Sequence, residues 1–177
     1  MSNATLMWSM LFIPWFTLLF MKREEVRRWF PVSMAAVILT HIINDFGVTL
    51  GFWELKESFP PFKYLQPYFY GAMPVLTIWV FKFTYDRFWL YMLANTILDI
   101  GFNFLLLDYI LPSRGIIGFY ILPLYSLPIT LVHAAAIYLY QKWQDGELQI
   151  ELVPNVKPAA VKPLVNDPSD DVDHNKD

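Results

Sequence analysis

Apolar and polar positions fall in blocks along this chain. Five apolar blocks, at about residues 5–21, 31–53, 67–83, 88–111 and 116–140, are separated by short polar connections. Runs this long predict helices rather than strands, and about 20 apolar residues are what a hydrocarbon core of roughly 30 Å requires. The block from Pro31 to Trp53 holds one Asp, one His and no Lys, Arg or Glu over 23 residues, about 34 Å of helix. The predicted fold is all-α, a polytopic transmembrane bundle of five spans occupying residues 1–140. Residues 141–177 change character abruptly, with Pro154, Pro158, Pro163 and Pro168 and an acidic end, DPSDDVDHNKD. They read as a tail that cannot bury enough apolar surface to fold alone. Only Glu147 to Val153 alternates enough to pair as a strand with a partner.

The connections carry the charge. Lys22 to Arg28, KREEVRR, reads as a solvated hairpin, with Pro31 suited to the first turn of the next helix. Glu54 to Gln66 reads as a proline-broken loop. No basic residue precedes the first block and four follow it, the reverse of a cleaved signal peptide, so a retained span is expected. Counting basic residues near span ends sets Lys22, Arg23, Arg27, Arg28, Lys82, Arg87 and Lys142 against Lys56, Lys63 and Arg114. That bias places the N-terminus outside and the tail in the cytoplasm of a plasma membrane. Trp8, Trp53, Tyr64, Tyr68 and Tyr109 then fall at outer span ends, and Trp29, Tyr85, Trp89 and Trp143 at inner ends, as an interfacial belt would.

Composition agrees with this class. Of 177 residues, 56% are hydrophobic, 18% aromatic and 16% charged, against ~25% charged in ordinary soluble domains. The absence of cysteine excludes disulfides, thiolate metal sites and cysteine nucleophiles. There is no basic patch with interleaved aromatics for nucleic acid, no phosphate-binding glycine loop and no G-x-S-x-G elbow. The partners implied are the lipid bilayer and, since five spans make a small bundle, a second copy or another membrane protein. No cofactor can be named.

Candidate chemistry comes from the polar residues inside the spans. His41, Asn44 and Asp45 stand at i, i+3 and i+4, on one helix face. Asn95, Asp99 and Asn103 form a stripe at i, i+4 and i+8, and Ser126, Thr130 and His133 form another. Counted from span centres, Asp45 and Asp99 lie near the midplane. Three helices could therefore direct a His/Asp/Asn cluster at one point, where the groups would titrate as a coupled set. Three roles compete for it. The residues can act as polar glue between helices, at ~0.6 kcal/mol per contact. They can form a non-catalytic site for a proton, cation or small polar ligand, in a carrier, sensor or complex subunit, because intramembrane carboxylates mark such sites. His41, Asp45, Asp99 and His133 can also be read as N and O ligands of a metal-dependent membrane enzyme, although no HExxH motif accompanies them.

Two segments also align. Ile43 to Gly47 and Ile97 to Gly101 both read I-x-D-[FI]-G, compatible with a 2+2+1 parallel hairpin repeat. A shared need for a polar face plus a close-packing glycine gives the same pattern. Finally, the run D-x-G-x-x-x-G-x-W, carried by Asp45, Gly47, Gly51 and Trp53 and followed by a loop rich in proline and tyrosine, resembles one group of proteins. These are small multi-pass membrane proteins of unknown function from spore-forming Gram-positive bacteria. The resemblance covers roughly residues 5–140. It implies a bacterial plasma-membrane protein of about five spans and brings no catalytic residues with it.

Overall fold

A computed structural model describes residues 2–61 and 66–147. Within them the chain is mostly helical: α1 (Asn3–Thr17), α2 (Arg23–Thr49), α3 (Ala72–Thr84), α4 (Phe88–Ile100) and α5 (Pro123–Gln144). Short 3₁₀ turns follow α1 and precede α3. Two three-residue strands, β1 (Trp53–Leu55) and β2 (Ile117–Phe119), form an antiparallel ribbon with Trp53 opposite Phe119. Three helical segments, Asn3–Phe20, Arg23–Thr49 and Phe88–Ser113, are long and apolar enough to cross a membrane. The outside of the bundle is apolar too, with Phe16, Ile38, Phe46, Phe83, Ile97, Leu105 and Val132 among the exposed side chains. Contiguous apolar surface of that kind marks contact with a membrane or a partner.

Several boundaries differ from the sequence reading. The charged stretch expected as a hairpin is the start of α2. Glu24 and Glu25 occupy the first turn, where carboxylates favour the positive end of the helix dipole. The Glu25 carboxylate also accepts the Lys22 backbone N–H at 3.2 Å. Pro31 is therefore inside the helix rather than at its start. The fifth apolar block does not open as helix: Ile117 to Phe119 go to β2, and Pro123 begins α5. The expected tail begins later than residue 141, since α5 runs to Gln144 and Gln141 is buried. Its remainder from 148 onward, with most of the proposed pairing segment, lies outside the described residues, as do Lys63 and Tyr64.

α2 stops at a Schellman motif. Gly51, at φ +73°, donates to the Val48 carbonyl at 3.1 Å, and Phe52 donates to Gly47 at 2.9 Å. The left-handed turn that only glycine takes without cost sends the chain back into β1. Trp53 then folds its indole against Gly47, where a Cβ would stand 1.9 Å from the ring. The same ring stacks on Phe119, with centroids 5.4 Å apart.

α2 packs on α3, α3 on α4, α4 on α5 and α5 back on α2, which closes a ring of four helices. α1 lies outside the ring, against α3. Two indoles clamp it there: Trp15 donates to the Tyr70 carbonyl at 3.1 Å and Trp79 to the Thr17 hydroxyl at 3.0 Å. Gly71 allows the approach, since a Cβ would lie 2.3 Å from the Met10 and Leu11 carbonyls.

The core divides into two apolar plugs. One holds Trp29, Val32, Ile78, Phe81, Tyr91 and Ile137. The other holds Met7, Trp53, Tyr68, Leu111 and Ile117. Beyond the first plug, Tyr85 donates to the Asp145 carboxylate at 2.5 Å, Arg28 approaches the same carboxylate at 3.6 Å, and Lys142 pairs with Glu147. Burial, then the Asp145 bond, pushes the Tyr85 phenol up, so it stays a neutral donor at ordinary pH. This latch joins the ends of α2, α3 and α5.

The aromatic belt is only partly a belt. Trp53, Tyr68, Trp29 and Tyr85 are buried core residues, whereas Tyr109, Trp89 and Trp143 are exposed.

The two aligned glycines predict opposite outcomes. Gly47→Ala should cost about 1–3 kcal/mol of stability by forcing the Trp53 indole out. Gly101→Ala, with nothing within 4 Å of its added methyl, should be neutral or slightly stabilising. Thermal melting of both variants in detergent checks the pair.

Candidate functional site

Between the two plugs the four-helix ring encloses a cavity of about 180 Å³. α1 contributes nothing to its lining. α2 supplies Thr40 and Asn44, α3 supplies Thr77, α4 and its continuation supply Asn95, Asp99 and Asn103, and α5 supplies Ser126, Thr130 and His133. Trp53 and Phe119 of the ribbon close one end, and Phe81, Tyr91 and Ile137 the other. Asp99 lies eleven residues into α4, about 17 Å from its start.

Beyond Asp99 the stripe stays on the cavity side because the helix changes pitch. From Gly101 to Ile110 the backbone is π-helical, ending with the Leu111 N–H bonded to the Leu106 carbonyl. In a regular α-helix residues four apart drift ~40° around the axis per step. The wider π turns reverse that drift, so Asn95, Asp99, Asn103 and Leu107 all line the cavity. Helical stretches of this kind occur mostly as single turns and frequently at functional sites.

The hydrogen bonds within the lining come in two sorts. Some tie helices together. The Ser126 hydroxyl donates to Asn103 Oδ1 at 2.9 Å. The Tyr91 hydroxyl donates to the Ala134 carbonyl at 3.0 Å. His133 Nε2 lies 3.2 Å from the Thr40 hydroxyl and 3.3 Å from the Ala36 carbonyl. A carbonyl can only accept, so Nε2 carries the ring proton, and Nδ1 is the acceptor of the neutral ring.

Others are local. Asn95 and Asn103 donate to the Tyr91 and Asp99 carbonyls one turn back, at 2.8 Å each. The Thr130 hydroxyl is within reach of both the Asp99 carboxylate and the Leu127 carbonyl, and its one proton serves one of them at a time.

Asn44 is the exception. It is 5% exposed. Its Oδ1 accepts the Trp53 indole N–H at 3.1 Å, which fixes the amide orientation, because the indole can only donate. Its Nδ2 is left with no partner among the described residues. A buried donor without an acceptor costs about 1–3 kcal/mol.

Of the residues singled out in the sequence, the cavity brings together Asn44, Asn95, Asp99, Asn103 and His133. It does not include His41 or Asp45. His41 donates from Nδ1 to the Val37 carbonyl at 2.7 Å, and its Nε2 meets the Tyr70 hydroxyl at 3.0 Å. It therefore ties α2 to the turn before α3. Asp45 is exposed and sits four residues from the end of α2, about 6 Å, not at mid-depth. The expected metal quartet of His41, Asp45, Asp99 and His133 is thus not assembled. Among the described residues no group of three or more His, Cys, Asp or Glu could hold a metal ion. The aligned I-x-D-[FI]-G segments also occupy unlike places: Asp45 is outside and Asp99 lines the cavity, while Gly47 packs against Trp53 and Gly101 meets nothing.

Sequence reasoning misses two parts of the site, Trp53 and the π-helical stretch. By position along the chain Trp53 reads as a belt residue, and its place just after Gly51 is the signal that could have found it. Comparison with protein-family models, curated proteins and solved structures finds no match to this chain.

The Asn103–Ser126 bond predicts a measurable coupling. Asn103→Leu and Ser126→Ala should each destabilise, and the double variant should fall short of their sum by about 0.6–2 kcal/mol. A double-mutant cycle of detergent melts reads it.

Proposed function

We propose that this chain is a five-span plasma-membrane protein, N-terminus outside and tail cytoplasmic, and that the cavity in its four-helix ring is a non-catalytic binding site for a small polar ligand or cation. The observation that carries the site is the unpaired Asn44 amide in a cavity with polar groups from all four ring helices. Polar glue accounts for Ser126–Asn103, Tyr91–Ala134 and His133–Ala36, whose donors are used up between helices. It gives no reason to bury a free amide donor in the cavity that Asp99 also lines.

The span count rests on the three long apolar helices together with α3, which stands between two of them, and α5, which follows the last. α3 is only 13 residues, about 20 Å. It packs against α1, α2 and α4, and shielding by protein is what makes a short or irregular segment tolerable at membrane depth. Arg28, Lys82 and Lys142 gather at one end of the bundle, through contacts to Asp145, Glu25 and Glu147, which favours that end as the inner one.

Because the chain has no cysteine, single cysteines report topology without background. A membrane-impermeant maleimide added to intact cells should label Ser113→Cys and spare Asp86→Cys until the cells are opened. The reverse pattern would sink the orientation.

The site itself is tested by two near-isosteric changes. Asp99→Asn should melt about 2–4 °C above wild type, since a functional carboxylate is held at the expense of stability. Asp45→Asn should leave the melt unchanged. If Asp99→Asn melts clearly lower, the carboxylate is a structural partner and the binding-site reading falls.

A further inference from the structure

We infer that the ligand is a small organic cation, a protonated amine carrying an apolar or aromatic body. This rests on the cavity being a ligand site and names the chemical class that fits it. Charge comes first: among the described residues Asp99 is the one carboxylate in the lining, and no Lys or Arg joins it. An anion would meet an aspartate with no cation to balance it. A cation meets its counter-charge.

Hydrogen bonding is of matching sense. Asp99 offers carboxylate oxygens, and His133, with Nε2 committed to Ala36, offers Nδ1 as an acceptor for an ammonium N–H. The free Asn44 Nδ2 is a single donor, placed for a hydroxyl or carbonyl oxygen elsewhere on the ligand. A metal ion would need several such oxygens or nitrogens converging, and the described residues contain no such group.

The walls select the body of the ligand. Trp53, Tyr68, Phe102 and Phe119 surround the polar strip. Aromatic faces attract ammonium groups, more strongly where water is excluded. The volume of about 180 Å³ exceeds that of an engineered cavity of about 150 Å³ that takes benzene, so one ring with a short amine chain fits. The route in suits the same molecule. Leu76 on α3 and Leu98 on α4 both line the cavity and are 42% and 40% exposed, so it opens between these helices. In a membrane that mouth faces lipid, from which an amphipathic amine enters more readily than a fully hydrophilic solute.

A charge series on the full-length protein in detergent tests this, with 2-phenylethylamine, 2-phenylethanol and phenylacetate as probes. The amine should raise the melting temperature saturably, the alcohol weakly and the carboxylate not at all. Asp99→Asn should lose ~30-fold or more in apparent affinity for the amine, as expected when one partner of a buried charge pair is removed. Equal shifts from amine and alcohol on the wild type would overturn the cation assignment while leaving a ligand cavity in place. Stronger binding of the carboxylate would overturn it outright. If no probe binds although Asp99→Asn melts higher, the ligand class is wrong and the site reading survives. The wild-type series decides the matter even where the Asp99 variant fails to fold.

Discussion

The indole of Trp53 is the piece on which the rest of the architecture turns. It can enter only because Gly47 has no side chain to occupy the same space, and it reaches that position only because Gly51 reverses the chain at the end of α2. Once there, its N–H takes the Asn44 carbonyl oxygen and its ring lies on Phe119, so the β1–β2 ribbon is pinned across the end of the helical ring. The same bond leaves the other half of the Asn44 amide unpaired. Closure of the bundle and the open valence of the cavity are two consequences of one contact.

Between that closure and the aromatic plug around Phe81, Tyr91 and Tyr138, the interior divides its polar groups by task. Ser126, Tyr91 and His133 use their donors to hold one helix to the next. Asp99 has only a Thr130 hydroxyl shared with Leu127, and Asn44 keeps an N–H unpaired among the described residues. The π-helical stretch from Gly101 keeps Asn103 and Leu107 in line with Asn95 and Asp99 on the cavity side. The latch of Arg28, Tyr85 and Asp145 restrains three helix ends at the opposite pole. The ring is thus tied at both ends, and its polar middle opens sideways between α3 and α4.

Much of this architecture is legible in the amino-acid sequence. The apolar blocks give helices in the right order, and the spacings 95/99/103 and 126/130/133 put the right residues on shared faces. The motif of Asp45, Gly47, Gly51 and Trp53 does act as a unit, although its glycines and tryptophan are structural and its aspartate faces outward. His41 stays out of the cavity because its ring is bonded to Val37 and Tyr70, and Asp45 stays out for a reason of helix geometry. Adjacent helix positions lie ~100° apart, so the rotation of α2 that buries Asn44 necessarily turns Asp45 away.

Sequence alone determined the helical class, the charged and apolar zoning and the two polar stripes, because each depends on spacing along a single helix. Tertiary structure alone decided which stripes meet, which tryptophans are core, where the π turns fall and that the Asn44 N–H in the cavity lining is left unpaired among the described residues. In a soluble helix the apolar face points inward and reveals its rotation. Here Ile38, Phe46 and Ile97 on the exterior are as apolar as Val32, Ile78 and Ile137 in the core. With both faces greasy, no local pattern sets the rotation of a helix, and only its contacts with the others do.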